Sequence, residues 1–284
     1  MKVFCLFEQS GTFKNAFKEF GFEAYDCDIL DDFKQTDFKI DLFAEIEREF
    51  EKIKIWQEFK LDKKVCYSEF AENKGDYLVR CRDTIFDKIL KDDLVFAFFP
   101  CIKFTEKCFL NTKCKNDSMK NYTNAQRLSY SRHSVNEMAR YYDTLCKLCE
   151  IATHKGFKLI IENPNSQPHF LNLFFPFEPS ISIQDRAKYG DYFKKPTNFW
   201  FFNFEPQNNF IWLNEGAKGR RLNMNGGKAG ERHKDKNELL RWFEKEHELK
   251  IDNIQKARSM ISSEFARNFI KMFVLNADEF ERIS

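Results

Sequence analysis

The stretch Lys2–Gly21, KVFCLFEQSGTFKNAFKEFG, joins two periodicities end to end. Val3 to Phe7 is a short apolar run suited to a buried strand, while Phe13, Ala16, Phe17 and Phe20 recur at helical spacing and stop at Gly21. The few small and polar residues between them leave room only for a tight turn, so the segment reads as strand, turn, helix. Working outward, FEAYDCDIL (22–30) reads as a second strand ending in acids and FKID (38–41) as a third. Leu42, Ile46, Phe50 and Ile53 then mark an amphipathic helix. This alternation predicts an α/β fold, a central, mostly parallel sheet with helices on both faces, and such sheets bind ligands beyond the carboxyl ends of their strands.

Further along, Asp93–Phe99 and Phe157–Ile161 read as two more buried strands. In the long connection between them, Ser134 and Glu137 fit a capping box ahead of a helix carrying Met138, Tyr142, Leu145 and Cys149 on one side. After Pro164 the aromatic runs NFWFFNF (198–204) and NFIWL (209–213) predict a pair of strands joined by a turn. Residues 215–236 read as a basic loop in which Arg220, Arg221, Lys228, Arg232 and Lys234 could track phosphates, although an ordinary solvated loop has the same composition. Helices are expected over 237–249 and 262–274. The boundaries divide the chain into a main domain over 1–200, a small variable insertion over 201–250, and a C-terminal helix over 251–284 returning to the main domain.

With 284 residues, 43% of them hydrophobic, the chain can bury one large core. Its 46 basic and 44 acidic residues leave a net charge of +2, which neither requires nor excludes a polyanionic partner. The N-terminus lacks a signal-peptide core and no stretch approaches the roughly 18–20 apolar residues of a membrane span, so a cytoplasmic protein is expected. Nine cysteines, an odd number without regular spacing, predict free thiols in a reducing compartment. Cys146 and Cys149 lie within a predicted helix rather than on a knuckle. Even with Cys108 and Cys114 nearby, and with His133, His154, His169, His233 and His247 irregularly placed, no metal site is expected. Trp200, Trp212 and Tyr192 could stack a base, although with 17% aromatic residues most rings belong to the core.

Three stretches carry chemistry. In LFEQSGTF (6–13), Ser10, Gly11 and Thr12 let backbone approach a ligand, and Asp28, about twenty residues on, can hold two ribose hydroxyls. A single glycine suits a nucleoside without phosphates better than a dinucleotide, and a plain structural turn favours the same residues. In DLVFAFFPCIKF (93–104), Cys101 falls just past a buried strand, with Pro100 fixing the backbone. A thiol there can attack if nearby positive charge or a helix N-terminus populates its thiolate, and otherwise serves as a small hydrophobe. In LIIENP (159–164), Glu162 ends a strand at the equivalent depth. There, partial desolvation would raise its affinity for a proton that it could give to a heterocycle nitrogen, or it could simply brace a loop.

LFEQSGTF, Asp28, Asp41, FPC (99–101) and IEN (161–163) stand in the order and rough spacing of the motifs of cytosine-5 DNA methyltransferases. The whole resembles the compact type carried by phages and mobile elements, as do RAKYGDYFKKPTNFWF (186–201) and RSMISSEFARNFI (258–270). The resemblance covers roughly residues 1–200 and 256–275. It implies a Rossmann-like methyltransferase fold that binds S-adenosylmethionine, with DNA as partner and no obligate protein partner. Phe7 would lie against the adenine, Gln9, Ser10, Gly11 and Thr12 would shape the methionine side, Asp28 with Ile29 would hold the ribose, and Asp41 with Leu42 would border the adenine. Cys101 would be the nucleophile, Pro100 would position it on the cofactor side, and Glu162 would contact the target cytosine. In SIQDRAKYG, Gln184 and Arg186 are the nearest counterparts of the family's paired-arginine strand, which makes Arg186 the third catalytic candidate, the alternative being a surface or loop-bracing arginine. The chain departs from the pattern at Cys5, where the family has an acid, and at Gln9, where it has a glycine; the last motif's GN and a dedicated target-recognition domain are absent. The implied reaction is methyl transfer to carbon 5 of a flipped cytosine through a covalent cysteine adduct. The alternatives are a methylase-like nucleic-acid-binding protein without turnover, and a related enzyme acting on RNA or using a modified cofactor.

Overall fold

In the computed structural model, β1 (Lys2–Leu6) pairs in parallel with β2 (Glu23–Asp28) on one side and with β4 (Leu94–Ala97) on the other. The structure describes residues 1–59, 83–165, 169–191, 194–213, 244 and 260–282. Outside them lie Cys66, Cys81, Tyr192, His233, His247, the basic run from Arg220 to Lys234, and nearly all of the helix expected over 237–249. β3 (Phe38–Lys39) extends the sheet beyond β2, and β5 (Lys158–Pro164) follows β4 in parallel. β7 (Thr197–Phe202) then runs antiparallel between β5 and β6 (Ile181–Ile183). The order is β3-β2-β1-β4-β5-β7-β6, an α/β architecture with a mixed, mostly parallel sheet. It matches the doubly wound order 3-2-1-4-5 and departs from it only at the last two strands.

Side chains alternate across each strand with period two, so every strand feeds two cores. Phe4, Leu6, Val95, Ala97, Leu159, Ile161 and Trp200 face α2 (Leu42–Phe59) and α4 (Asn124–Lys155), which pack on one another. Val3, Cys5, Leu94, Phe96, Ile160 and Phe199 face α1 (Thr12–Glu19) and α6 (Ser263–Phe273), again a packed pair. Rings fill the second core: Phe13 meets Phe96 edge-on at 4.6 Å and Phe199 lies 4.4 Å from Phe269. Each such fully buried side chain contributes about 1.5–3 kcal/mol through burial.

Two expectations are corrected. Ser134 and Glu137 begin no helix: α4 starts eleven residues earlier at Thr123, whose hydroxyl accepts the Gln126 N–H while Gln126 Oε1 accepts the Thr123 N–H. Ser134 sits inside the helix, bonded to Thr112 Oγ1 at the end of α3 (Glu106–Thr112). NFIWL forms no strand beside NFWFFNF either. Gln207 and Asn209 donate their N–H groups to Phe273 and Met272 carbonyls at the end of α6, because β6 already occupies the free edge of β7.

Candidate active site

The chain leaves β1 toward β2 and β3 and returns to β4 on the other side, which opens a crevice past the carboxyl ends of β1 and β4. A cavity of about 220 Å³ occupies that place. Phe7, Glu8, Gln9 and Ser10 line it from the end of β1, Asp28 from β2, Phe98, Phe99, Pro100 and Cys101 from β4, and Glu162 and Pro164 from β5. Four separate strand ends thus converge on one space.

Phe7 breaks the strand with a φ of 60°, a left-handed conformation that costs a non-glycine residue roughly 1–2 kcal/mol. Its ring is held edge-on to Phe99 and Phe43, at 5.2 and 5.8 Å. The turn continues with Ser10 Oγ donating to Glu8 Oε1 at 2.9 Å and lying 2.9 Å from Thr12 Oγ1. Gly11, at φ 73°, caps α1, and a Cβ there would come within 2.8 Å of Gln35 Oε1. Its glycine is therefore set by the protein's own backbone and by Gln35. Gln9 Oε1 accepts the Asp32 N–H at 3.1 Å and ties the turn to the loop after β2. In that loop Asp28 accepts the Leu30 N–H at 2.8 Å, and burial pushes its carboxyl above the usual carboxylate range.

Cys101 is half-buried in a turn closed by the Phe104 N–H donating to its carbonyl at 2.8 Å. Burial raises its thiol above the ordinary cysteine value; Lys195 opposes that shift and Glu162 adds to it. Glu162 is fixed from two sides. Asn163 Nδ2 donates to the carbonyls of Phe99 and Glu162, at 2.8 and 3.0 Å, and so clamps the end of β5 to the end of β4. Behind it Arg186, fully buried, sets Nη1 3.5 Å from Glu162 Oε1, pairs with Asp191 and stacks over Phe265 at 4.6 Å. Asp191 in turn accepts the Ser262 N–H at 3.1 Å, where α6 begins. Arg186 therefore positions Glu162 from outside the cavity.

The sequence-derived candidates divide accordingly. Phe7, Gln9, Ser10, Asp28, Pro100, Cys101 and Glu162 share the cavity wall. Gly11 and Thr12 lie beneath it in the turn; Ile29 points outward and is exposed; Asp41 accepts the Phe43 and Ala44 N–H groups at the start of α2; Leu42 packs into the core. Sequence reasoning missed Glu8, Phe33, Lys195, Met260 and Ile261, all lining residues. Lys195 and the Met260–Ile261 pair fall inside the two stretches quoted for the family resemblance, the only signal that could have drawn attention to them.

No family model matches the chain, and no curated protein matches it.

Proposed function

We propose that this protein transfers a methyl group from S-adenosylmethionine to carbon 5 of cytosine in DNA. The observation that carries the reading is the meeting of a thiol, Cys101, and a carboxyl group, Glu162, in one cavity whose far wall is the turn after β1 and the acid ending β2. The donor set fits the cofactor: Phe7 offers an aromatic edge, the half-buried Asp28 carboxyl suits a ribose diol, and Gln9 and Ser10 offer polar groups at the turn. A sheet consistent with a Rossmann-like arrangement, with the cavity at its switch point, supports a methyltransferase fold.

When bound, S-adenosylmethionine supplies an electrophilic methyl group on a sulfonium. Carbon 5 of cytosine is a poor nucleophile, and the work of this chain is to activate it. The Cys101 thiolate adds to carbon 6, with Lys195 favouring the thiolate against the burial that opposes it. Glu162 meets the ring at nitrogen 3 and relieves the charge that builds there. Arg186 and Asn163 hold Glu162 in place. Once carbon 5 carries its new substituent, loss of its proton expels Cys101 and restores the ring. The target must leave the DNA stack to enter the cavity, which costs a few kcal/mol that contacts to the DNA offset.

The test is incubation with S-adenosylmethionine and cytosine-containing DNA, digestion to nucleosides and mass spectrometry. The expected product is 5-methylcytosine, abolished in Cys101→Ala and lowered about 10²- to 10⁴-fold in Glu162→Gln. A mass gain other than methyl, or product only from RNA, replaces this reading with a modified cofactor or an RNA substrate. DNA binding that Cys101→Ala leaves intact, with no product from the wild type, replaces it with a binding protein.

A further inference from the structure

Beneath the first turn lies a cluster that the proposed chemistry does not use. Cys5 and Asp26 are register partners on the neighbouring strands β1 and β2, and both are fully buried. Two residues past β1, Glu8 folds back onto them because Phe7 reverses the chain. The Cys5 Sγ and one carboxylate oxygen each from Glu8 and Asp26 lie within 4.8 Å of one another. Oε1 of Glu8 is engaged by the Ser10 hydroxyl and by the Phe13 N–H at 3.1 Å. Oε2 of Glu8 and both carboxylate oxygens of Asp26 are buried without a well-formed hydrogen bond from the described residues, the Gly11 N–H engaging Asp26 only weakly. The cation facing them is Lys14, whose Nζ stands 3.8 Å from Asp26 Oδ2 but bonds to Asp37 Oδ2 at 2.9 Å.

Buried carboxylate oxygens without donors are costly unless a cation meets them. Hydrogen bonds satisfy Glu8 on one side only, and the open oxygens converge with a thiol. We propose that Cys5, Glu8 and Asp26 form a buried divalent-metal site of the zinc class that fixes the first turn. One thiolate and two carboxylates suit a borderline-soft ion, whereas calcium and magnesium take all-oxygen shells. A divalent ion offsets two of the three ligand charges, and the Lys14 ammonium, shared with Asp37, stands beside the third. On binding, the Cys5 proton passes to solvent and the thiolate remains on the metal. Because Glu8 also holds Ser10 and the start of α1, the ion links the sheet to the cavity wall. The reading of CxxC spacing could not find this site, since its three ligands meet only through strand pairing and a reversed turn.

The test titrates the full chain, freed of metal by a chelator, with cobalt(II). The expected result is thiolate-to-cobalt charge-transfer absorption saturating at one ion per chain and displaced by zinc. It should vanish in Cys5→Ser and persist in Cys101→Ser, and Asp26→Asn should weaken binding at least about tenfold. Absence of the absorption in the wild type overturns the proposal, as does its survival in folded Cys5→Ser. Should circular dichroism find Cys5→Ser unfolded, Asp26→Asn decides: full cobalt affinity in that folded variant overturns the site.

Discussion

Cys101 and Lys195 both line the cavity although they are far apart in the chain, and the charge of the lysine bears on how reactive the thiol is. Burial holds Cys101 in its protonated form, and Lys195 is the neighbour that opposes this. Replacing Lys195 by Met removes that opposition, so the thiol should titrate at higher pH than in the wild type. Alkylation of Cys101 by a neutral electrophile, followed by mass spectrometry across pH, should then be slower at neutral pH, and Lys195→Arg should restore it. An unchanged pH profile would remove Lys195 from the proposed mechanism. Arg186 acts at the same scale by a different route. Between Glu162 and Asp191, both buried, it is the counter-charge, and removing one partner of a buried pair leaves the others uncompensated. Arg186→Met should cost about 3–5 kcal/mol in urea unfolding. A cost below about 1 kcal/mol would mean that the two carboxylates do not depend on it. From sequence Arg186 is a catalytic candidate only as the counterpart of a family arginine; its position behind Glu162 depends on a three-residue strand, β6, too short to leave a periodic signal.

The elements that the sequence made readable are those whose own residues define both their period and their end. Strand β1, its turn and α1 follow from Val3, Gly11 and the phenylalanine spacing alone, and FPC and IENP mark where β4 and β5 stop. The false start at Ser134 has a local cause: a serine and a glutamate three apart satisfy the capping pattern anywhere on a helix, and the true cap at Thr123 uses the weaker-looking Gln126. A similar blind spot surrounds the loop that enters α5 (Phe170–Phe174). Its N-cap residue, His169, is fully buried against Phe104 at 6.2 Å, and among the described residues neither ring nitrogen finds a partner. Desolvation lowers its pKa to about 4, from an ordinary value near 6.5. Between those values the unfolded chain binds a proton that the folded one refuses, so stability rises with pH. The contribution is whole above about 6.5 and drains away as pH falls toward 4. His169→Phe should therefore flatten the fall in urea midpoint between pH 6.5 and 5, a range above most carboxylate titration. Equal slopes in the two proteins would show that the imidazole is satisfied when charged.

At the level of the whole molecule, the cavity exists because distant segments close around strand ends that the sequence did reveal. Lys195 arrives through the antiparallel pairing of Pro164 with Thr197, and Met260 and Ile261 arrive through the packing of α6 on α1. Pairings of that separation leave no local trace, which is why the floor of the site was legible in the sequence and its roof was not. The same assembly makes ligand binding and global stability one quantity. A ligand that contacts the ends of β1, β2 and β4 binds only when all three are in register, so it stabilises the folded state and not the unfolded one. For S-adenosylhomocysteine at a hundred times its dissociation constant, that linkage amounts to about 2.7 kcal/mol. In a chain of this size it should raise the melting temperature by roughly 5 °C or a little more. Cys101→Ser should keep the whole shift, since the proposed chemistry gives the thiol to the transfer step and not to cofactor binding. Asp28→Asn should lose most of it, because an amide cannot accept both hydroxyls of a ribose as a carboxylate does. Adenosine, which shares the diol but lacks the amino-acid tail, should give a smaller shift with the same dependence on Asp28. A wild-type melting curve that neither compound moves would separate this cavity from nucleoside binding altogether.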